Sequence, residues 1–455
     1  MSTIKVNTVT KRTGSTLTLG ESGTTVTLAC GATQSGFGRT GTVDWCTTAK
    51  TSPFTSVSGN GYFVNTTSGA VTVTLPASPS AGDIVSIADY TNTFQTNKVT
   101  LARNGSKIGG VCANASLSTE GQSATFVYVD GTEGWKNVQD STSNVVGQSF
   151  ISASGGTETT SPCGNFKIHT FNATGCFSVS SLSSVPANNE VSYIVVGGGG
   201  GAGSSSGNSG GGGGAGGFRE SKSGVDTYTA SPLEGATNIT VTATTFPITV
   251  GGGGAGSPGS ESPGTVGSNS VFSTVTSAGG GFGGGPAGPP LCGGAGGSGG
   301  GGSGGGFNRP GGSGNTPPVT PPQGRDGGSS PAGPTGDQHG GGGGGAGAVG
   351  QTASPSSGGG NGGDGVATSI TGSSVTRAGG GGGGWYQPTA PSGSGGTGGA
   401  GGGGTAGTPA APNACSAGQN GTDNTGGGGG APNSSNSFAG GTGGSGVVII
   451  RYKFQ

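Results

Sequence analysis

Of the chain's 115 glycines, 93 lie between Gly197 and Gly446 and only 22 in the first 196 residues. A stretch so poor in Cβ atoms cannot build a side-chain core. It is either a flexible linker or a structure ordered by backbone packing alone. Three features favour order. Strongly apolar strands enter and leave the block directly, Tyr193-Ile194-Val195-Val196 at its start and Val447-Val448-Ile449-Ile450-Arg451-Tyr452 at its end, and pairing them closes the block into one unit. Further strand-like segments punctuate the block at 239–242, 247–250, 271–276 and 374–378, and the last three each precede a glycine run. Glycine-only runs also alternate with segments rich in proline, aromatics and amides.

Polyglycine can order as a left-handed extended helix of three residues per turn and about 3.1 Å rise, in which only glycine fits where neighbours crowd. Stacked helices bond through N–H to carbonyl contacts, helped by weak Cα–H contacts. Gly197, Gly212, Gly252, Gly280, Gly342, Gly381, Gly402 and Gly428 are representative lattice positions. The intervening segments then become loops at the ends of the slab: 204–209, 257–270, 286–292, 307–339, 351–357, 385–392, 405–425 and 431–439. They carry the candidate binding residues Phe307, Asn308, Arg309, Arg325, Asp326, Trp385, Tyr386, Gln387 and Phe438. Trp385 and Tyr386 read as an exposed aromatic pair suited to stacking on a sugar ring or filling a protein groove, with packing onto the slab as the alternative.

Ahead of the block, apolar residues alternate with polar ones, the mark of half-buried strands. Residues 1–50 read as short strands with too little surface to fold alone, and so as an attachment and oligomerisation segment. Residues 51–145 read as a β-sandwich with Trp135 closing its core, and 146–455 as the glycine-rich tip domain. No segment has a 3.6-residue period, so the fold class is all-β plus polyglycine helices, with almost no α-helix.

Net charge is −1, leaving no basic field for nucleic acid. No apolar run of 18 residues exists, and the N-terminus lacks the basic and apolar regions of a secretory signal. Synthesis in a cytoplasm without export by that route is the expectation. Seven cysteines without C-x-x-C spacing and two histidines, His169 and His339, offer no zinc set. Free thiols are the simple reading, with Cys163 and Cys176 the candidates for a bridge. No Gly-Lys-Ser/Thr occurs in the block, and a catalytic triad lacks a placed histidine. Asp83, Asp89, Asp130 and Glu133 could supply a glycosidase pair, but acids at strand ends and turns are usually solvated. No catalytic residue, metal or cofactor is expected.

Val195-Val196 followed by Gly197 to Gly201, Gly210 to Gly217 with Phe218-Arg219, and the terminal Gly443-Gly444-Ser445-Gly446-Val447-Val448-Ile449-Ile450-Arg451-Tyr452 together resemble the glycine-rich domain of phage tail fibres and fibre-tip adhesins. The pattern covers about 165–455. Ser2-Thr3-Ile4-Lys5-Val6-Asn7-Thr8 and the segment from Gly61-Tyr62-Phe63-Val64 to Trp135 also resemble tail fibres of phages of marine bacteria, cyanobacteria in particular. The resemblance implies a virion tail fibre made in the host cytoplasm. It would be homotrimeric, joined to other tail proteins near its N-terminus, and its loops would bind a host-surface glycan or outer-membrane protein. Two rivals accompany that reading, a glycine-rich structural protein of a cell surface or matrix and a fibre with polysaccharide depolymerase activity.

Overall fold

The computed structural model describes residues 43–141, 149–204, 208–259, 262–285, 292–305, 307–332, 338–354, 358–386, 394–407, 416–433 and 438–455. The proposed strands of residues 1–42 lie outside them, as do Cys30, Cys415 and Gln387. The chain divides into two compact units, Met1–Gly147 and Gln148–Gln455. The fold is all-β. Among the described residues the one helical element is a single 3-10 turn, Pro186–Asn189.

In the first unit, β1 (Asp44–Lys50), β2 (Phe54–Thr55), β3 (Asn60–Val64), β4 (Val71–Thr74), β5 (Ile84–Asp89) and β6 (Val99–Ala102) alternate between two sheets. β1, β3 and β5 run parallel in one, and β2, β4 and β6 run parallel in the other. β7 (Ala115–Leu117) closes the second sheet antiparallel, and β8 (Ser123–Tyr128) and β9 (Trp135–Ser141) close the first. The result is a sandwich wound as a short parallel coil. Period-2 patterning places Val71, Val73 and Leu75 in its core with Tyr62, Ile87, Leu101, Phe126 and a fully buried Trp135. β1 belongs to this sandwich, paired with β3.

The second unit is built on β10 (Ser152–Ser154), β11 (Thr157–Thr160), β12 (Phe166–Phe171), β13 (Gly175–Ser181), β14 (Glu190–Val196), β15 (Phe218–Ser221), β16 (Ile239–Thr240), β17 (Thr245–Thr249), β18 (Ser270–Phe272), β19 (Val275–Ser277), β20 (Val366–Thr368), β21 (Val375–Arg377) and β22 (Val447–Lys453). One sheet has the order β11-β12-β22-β14-β15, with β16 also on β14; a second has β10-β13-β17-β18-β19. β14 and β22 pair antiparallel, Val196 opposite Val447, as their apolar character requires. Both faces of the pair are buried. Tyr193, Val195, Val448 and Ile450 meet Phe177 and Phe272 of the second sheet. Ile194, Val196, Val447 and Ile449 face Ala215, Ala346 and Ala378 of the glycine block.

The block itself is a lattice of three-residue helices, and its hydrogen bonds reveal the period. Along the run 197–204, Gly197, Gly200 and Gly203 donate to Gly217, Gly214 and Gly211. Gly198, Gly201 and Ser204 donate to Ser268, Thr265 and Ser262, while Gly199 and Ala202 donate to Gly444 and Gly441. The same run's carbonyls accept from Gly280 and Gly283, from Gly254 and Ser257, and from Gly429. Every third N–H thus faces the same neighbour, and six neighbours surround one run. That is the geometry of a left-handed helix with three residues per turn, and eight residues of it span roughly 25 Å. Run 340–346 is surrounded in the same way, bonding to runs around 300, 350, 381, 327, 362 and 214.

Candidate functional site

The lattice has two unlike ends. Its runs start or finish on strands at one of them: 197 follows β14, 217 precedes β15, 278 follows β19, 365 precedes β20, 378 follows β21 and 446 precedes β22. At the other end lie Ser204, Ser209, Ser257, Ser262, Arg309, Ser330, Tyr386, Ser416 and Asn433. We call these the sheet end and the loop end.

Side chains and backbone knit the loop end together. Ser257 Oγ bonds to Ser204 Oγ at 2.6 Å and to Ser262 Oγ at 2.8 Å. Gly304 N donates to Ser209 O at 2.8 Å, and Ser209 Oγ donates to Gln338 O at 2.7 Å. Gln338 N donates to Tyr386 O at 3.3 Å. Arg309 and Ser330 exchange both backbone bonds at 2.9 Å, and Ser416 N donates to Asn433 Oδ1 at 2.7 Å.

Six of the described candidates sit at this end. Phe307 is 72% exposed, Asn308 is exposed and Phe438 is 37% exposed. Arg309 is buried; its Nη1 donates to Ser303 Oγ at 2.9 Å and to Gly304 O at 2.6 Å. Tyr386 is half-buried. Trp385 is a correction. It is not an exposed anchor but is buried, at 7% exposure, with its ring parallel to His339 at 6.3 Å.

Arg325 and Asp326 lie at the sheet end, in a lattice run and not in a loop. Arg325 N donates to Gly345 O, and two residues earlier Gln323 O accepts from Phe218 N at the start of β15. Asp326 Oδ1 accepts from Gly314 N at 2.7 Å and caps the neighbouring run. The segment 307–339 is therefore no single loop. It travels from the loop end to the sheet end and back.

Of the eight lattice glycines, Gly197, Gly212, Gly280, Gly342, Gly381 and Gly428 are closely walled by neighbouring backbone, where a Cβ would overlap a carbonyl. Gly402 has a φ of +98° and shapes a turn, with Thr425 beside it. Gly252 is an exception: it is exposed, and a Cβ there meets nothing within 4 Å.

A signal absent from the loop-by-loop reading marks the lattice exterior. Outward residues recur every third position, as in Ser394, Thr397 and Ala400, or Ala439, Thr442 and Ser445. Asn361 Oδ1 and Asp364 Oδ1 accept from Thr397 N and Ala400 N, both at 2.8 Å. Asn420 and Asp423 do the same for Thr442 N and Ser445 N, at 2.9 and 3.1 Å. Asn-x-x-Asp therefore finishes an edge where no further helix supplies carbonyls.

A buried polar cluster ties the sheet to the lattice. Arg451 of β22 pairs with Asp226 at 2.9 Å, and its guanidinium lies over Phe166 at 4.5 Å. Glu220 is fully buried and accepts from Tyr228 Oη, Thr368 Oγ1 and Ser231 N. Burial and the adjacent Glu220 push the Tyr228 phenol well above its usual range.

The residues weighed for catalysis have structural employment. His169 is fully buried on β12, its Nδ1 2.7 Å from Gly155 O and its Nε2 3.2 Å from Tyr452 Oη. Burial holds its pKa below the ordinary value. Asp89 accepts from Phe94 N and Gly121 N, and Asp130 from Thr132 N and Glu133 N. Cys163 and Cys176 are free, so the candidate bridge does not form; Cys163 Sγ lies 3.2 Å from Ser161 Oγ instead.

A sheet-anchored lattice with loops at one end defines a class of glycine-built domain. Residues 172–453 match the family described as "Glycine-rich domain", and the chain belongs to that family. No curated protein matches the chain.

Proposed function

We propose that this protein is a receptor-binding phage tail fibre without enzymatic activity, whose loop end touches a glycan or outer-membrane protein of the host. The observation that carries the reading is the asymmetry of the lattice. One end is fixed by strands, and the other carries the exposed Phe307, Asn308 and Phe438 on runs packed behind them. A backbone-packed slab holds loop ends in place whatever the loops contain, so the recognition surface can vary without disturbing the support. The preset ends also lower the ordering cost of binding. Homotrimer formation, attachment to other tail proteins through the N-terminal segment and a place in the virion belong to the same reading. They rest on the sequence resemblance.

The test is adsorption of the fluorescently labelled full chain to a panel of marine bacterial strains, cyanobacteria included. The reading predicts saturable binding to some strains and not to others, displaced by excess unlabelled protein. Weak, unsaturable binding that is the same on every strain contradicts it.

A further inference from the structure

Arg309 is an uncompensated cation at the loop end. Among the described residues of that end it is the one Asp, Glu, Lys or Arg, and no described carboxylate forms an ion pair with it. Its side chain is 7% exposed, its Nη1 makes hydrogen bonds to two neutral oxygens, and buried Nε has no hydrogen-bond partner. The buried Arg451 offers the contrast, since Asp226 neutralises it. Burying a charge without an opposite charge is costly, and a site that keeps one is suited to an anion that arrives from outside.

The surroundings hold this guanidinium in place. Gly305, at φ +147°, lies flat on it, and a Cβ there would come within 2.6 Å of Arg309 Cζ. Ser330 clamps the Arg309 backbone on both sides. Beside it, Gln338 Oε1 is a second buried polar atom with no partner. Two residues before Arg309, the ring of Phe307 stands 72% exposed with Asn308 next to it. An aromatic face takes the apolar side of a pyranose, and a guanidinium takes a phosphate or carboxylate in bidentate fashion.

We infer that Arg309 and Phe307 form a binding site for an acidic saccharide, a sugar that carries a phosphate or a carboxylate. This rests on the receptor-binding reading above and names the chemistry of the ligand. Phe307 covers the ring, Arg309 neutralises the anion, and Asn308 is placed to meet a hydroxyl.

Titration calorimetry of the full chain with glucose 1-phosphate, galacturonate and glucose tests it. Both acidic sugars should bind and glucose should not, with affinity falling as NaCl rises. A preference between the first two distinguishes phosphate from carboxylate. Arg309→Gln should weaken acidic-sugar binding at least tenfold. Phe307→Ala should weaken it severalfold with unchanged thermal unfolding, which keeps the test valid if the Arg309 variant is unstable. Equal affinity for glucose, or binding indifferent to both substitutions, overturns the site. Saturable cell binding that acidic sugars neither compete for nor reproduce also overturns it while leaving the fibre reading intact. Acidic-sugar binding without cell binding does the reverse.

Discussion

Gly381→Ala should destabilise the second unit severely, whereas Gly252→Ala should not. Gly381 lies inside the lattice. Its N–H donates to Gly213 O and its carbonyl accepts from Gly343 N, both at 2.8 Å. A Cβ on Gly381 would stand 2.5 Å from the carbonyl carbon of Gly429, about 1 Å inside ordinary carbon contact. Relief needs a displacement of that order, which stretches both hydrogen bonds past the useful range. Each buried backbone group left unpaired costs about 1–3 kcal/mol, and overpacking adds about 1–3 kcal/mol. A loss of roughly 3–6 kcal/mol follows. At about 2 °C per kcal/mol in a unit of this size, Tm should fall by about 6–12 °C. Gly252 has open space at its Cβ, so alanine there should be neutral or stabilising by up to about 1 kcal/mol through the unfolded chain. Scanning calorimetry on the full chain reads both. Equal tolerance of the two alanines would refute close packing of the runs.

Three further outcomes are expected. Trp385→Ala should lower stability by about 3 kcal/mol in chemical denaturation, because the ring is buried against His339 and not displayed. Arg451→Met should cost about 3–5 kcal/mol by stranding Asp226 in the interior; the double variant with Asp226→Leu should recover part of that loss, and a strictly additive double-mutant cycle would argue against the pair. His169 has a folded-state pKa depressed by burial, so the unfolded chain takes up its proton first. Its contribution is complete above about pH 6.5, the ordinary histidine value, and declines as pH falls from there through the folded pKa. Thermal melts from pH 7.5 to 5 should show this decline, and His169→Gln should flatten it.

The frame of the second unit was legible in the sequence because its strands are strongly apolar. β14 and β22 had to find a partner, and each offered the other a complementary two-sided surface. In the first unit, Trp135 was likewise expected to close the core, and it is buried there. The loops were harder to read. Residues 307–339 appear continuous because proline, arginine and aspartate interrupt the glycines, yet 309–314 and 324–330 are lattice runs with period-three bonding. Arg325 and Asp326 were consequently read as loop residues. The missed signal is the spacing of non-glycine residues, since a residue that points outward recurs at i+3 in a three-residue helix. Asn361 and Asp364 announce this, as do Ser394, Thr397 and Ala400. For Trp385 the sequence left display and packing open, and its burial beside His339 favours packing. In the first unit, alternation identified strands but not their partners. β3 and β4 are consecutive with a turn between them, which suits a hairpin, yet they belong to different sheets. Pairing there is set by sandwich closure, which no local pattern encodes.

The central claim is that the glycine runs are ordered by their own backbone hydrogen bonds. Amide hydrogen exchange of the full chain, followed by mass spectrometry of its fragments, tests it most directly. Runs 197–204, 210–217, 340–346, 379–384 and 426–431 are buried and bonded on all sides. They should be protected to the same degree as β14 and β22. Glycine runs that exchange at the rate of an unstructured peptide while β14 and β22 stay protected would contradict the account.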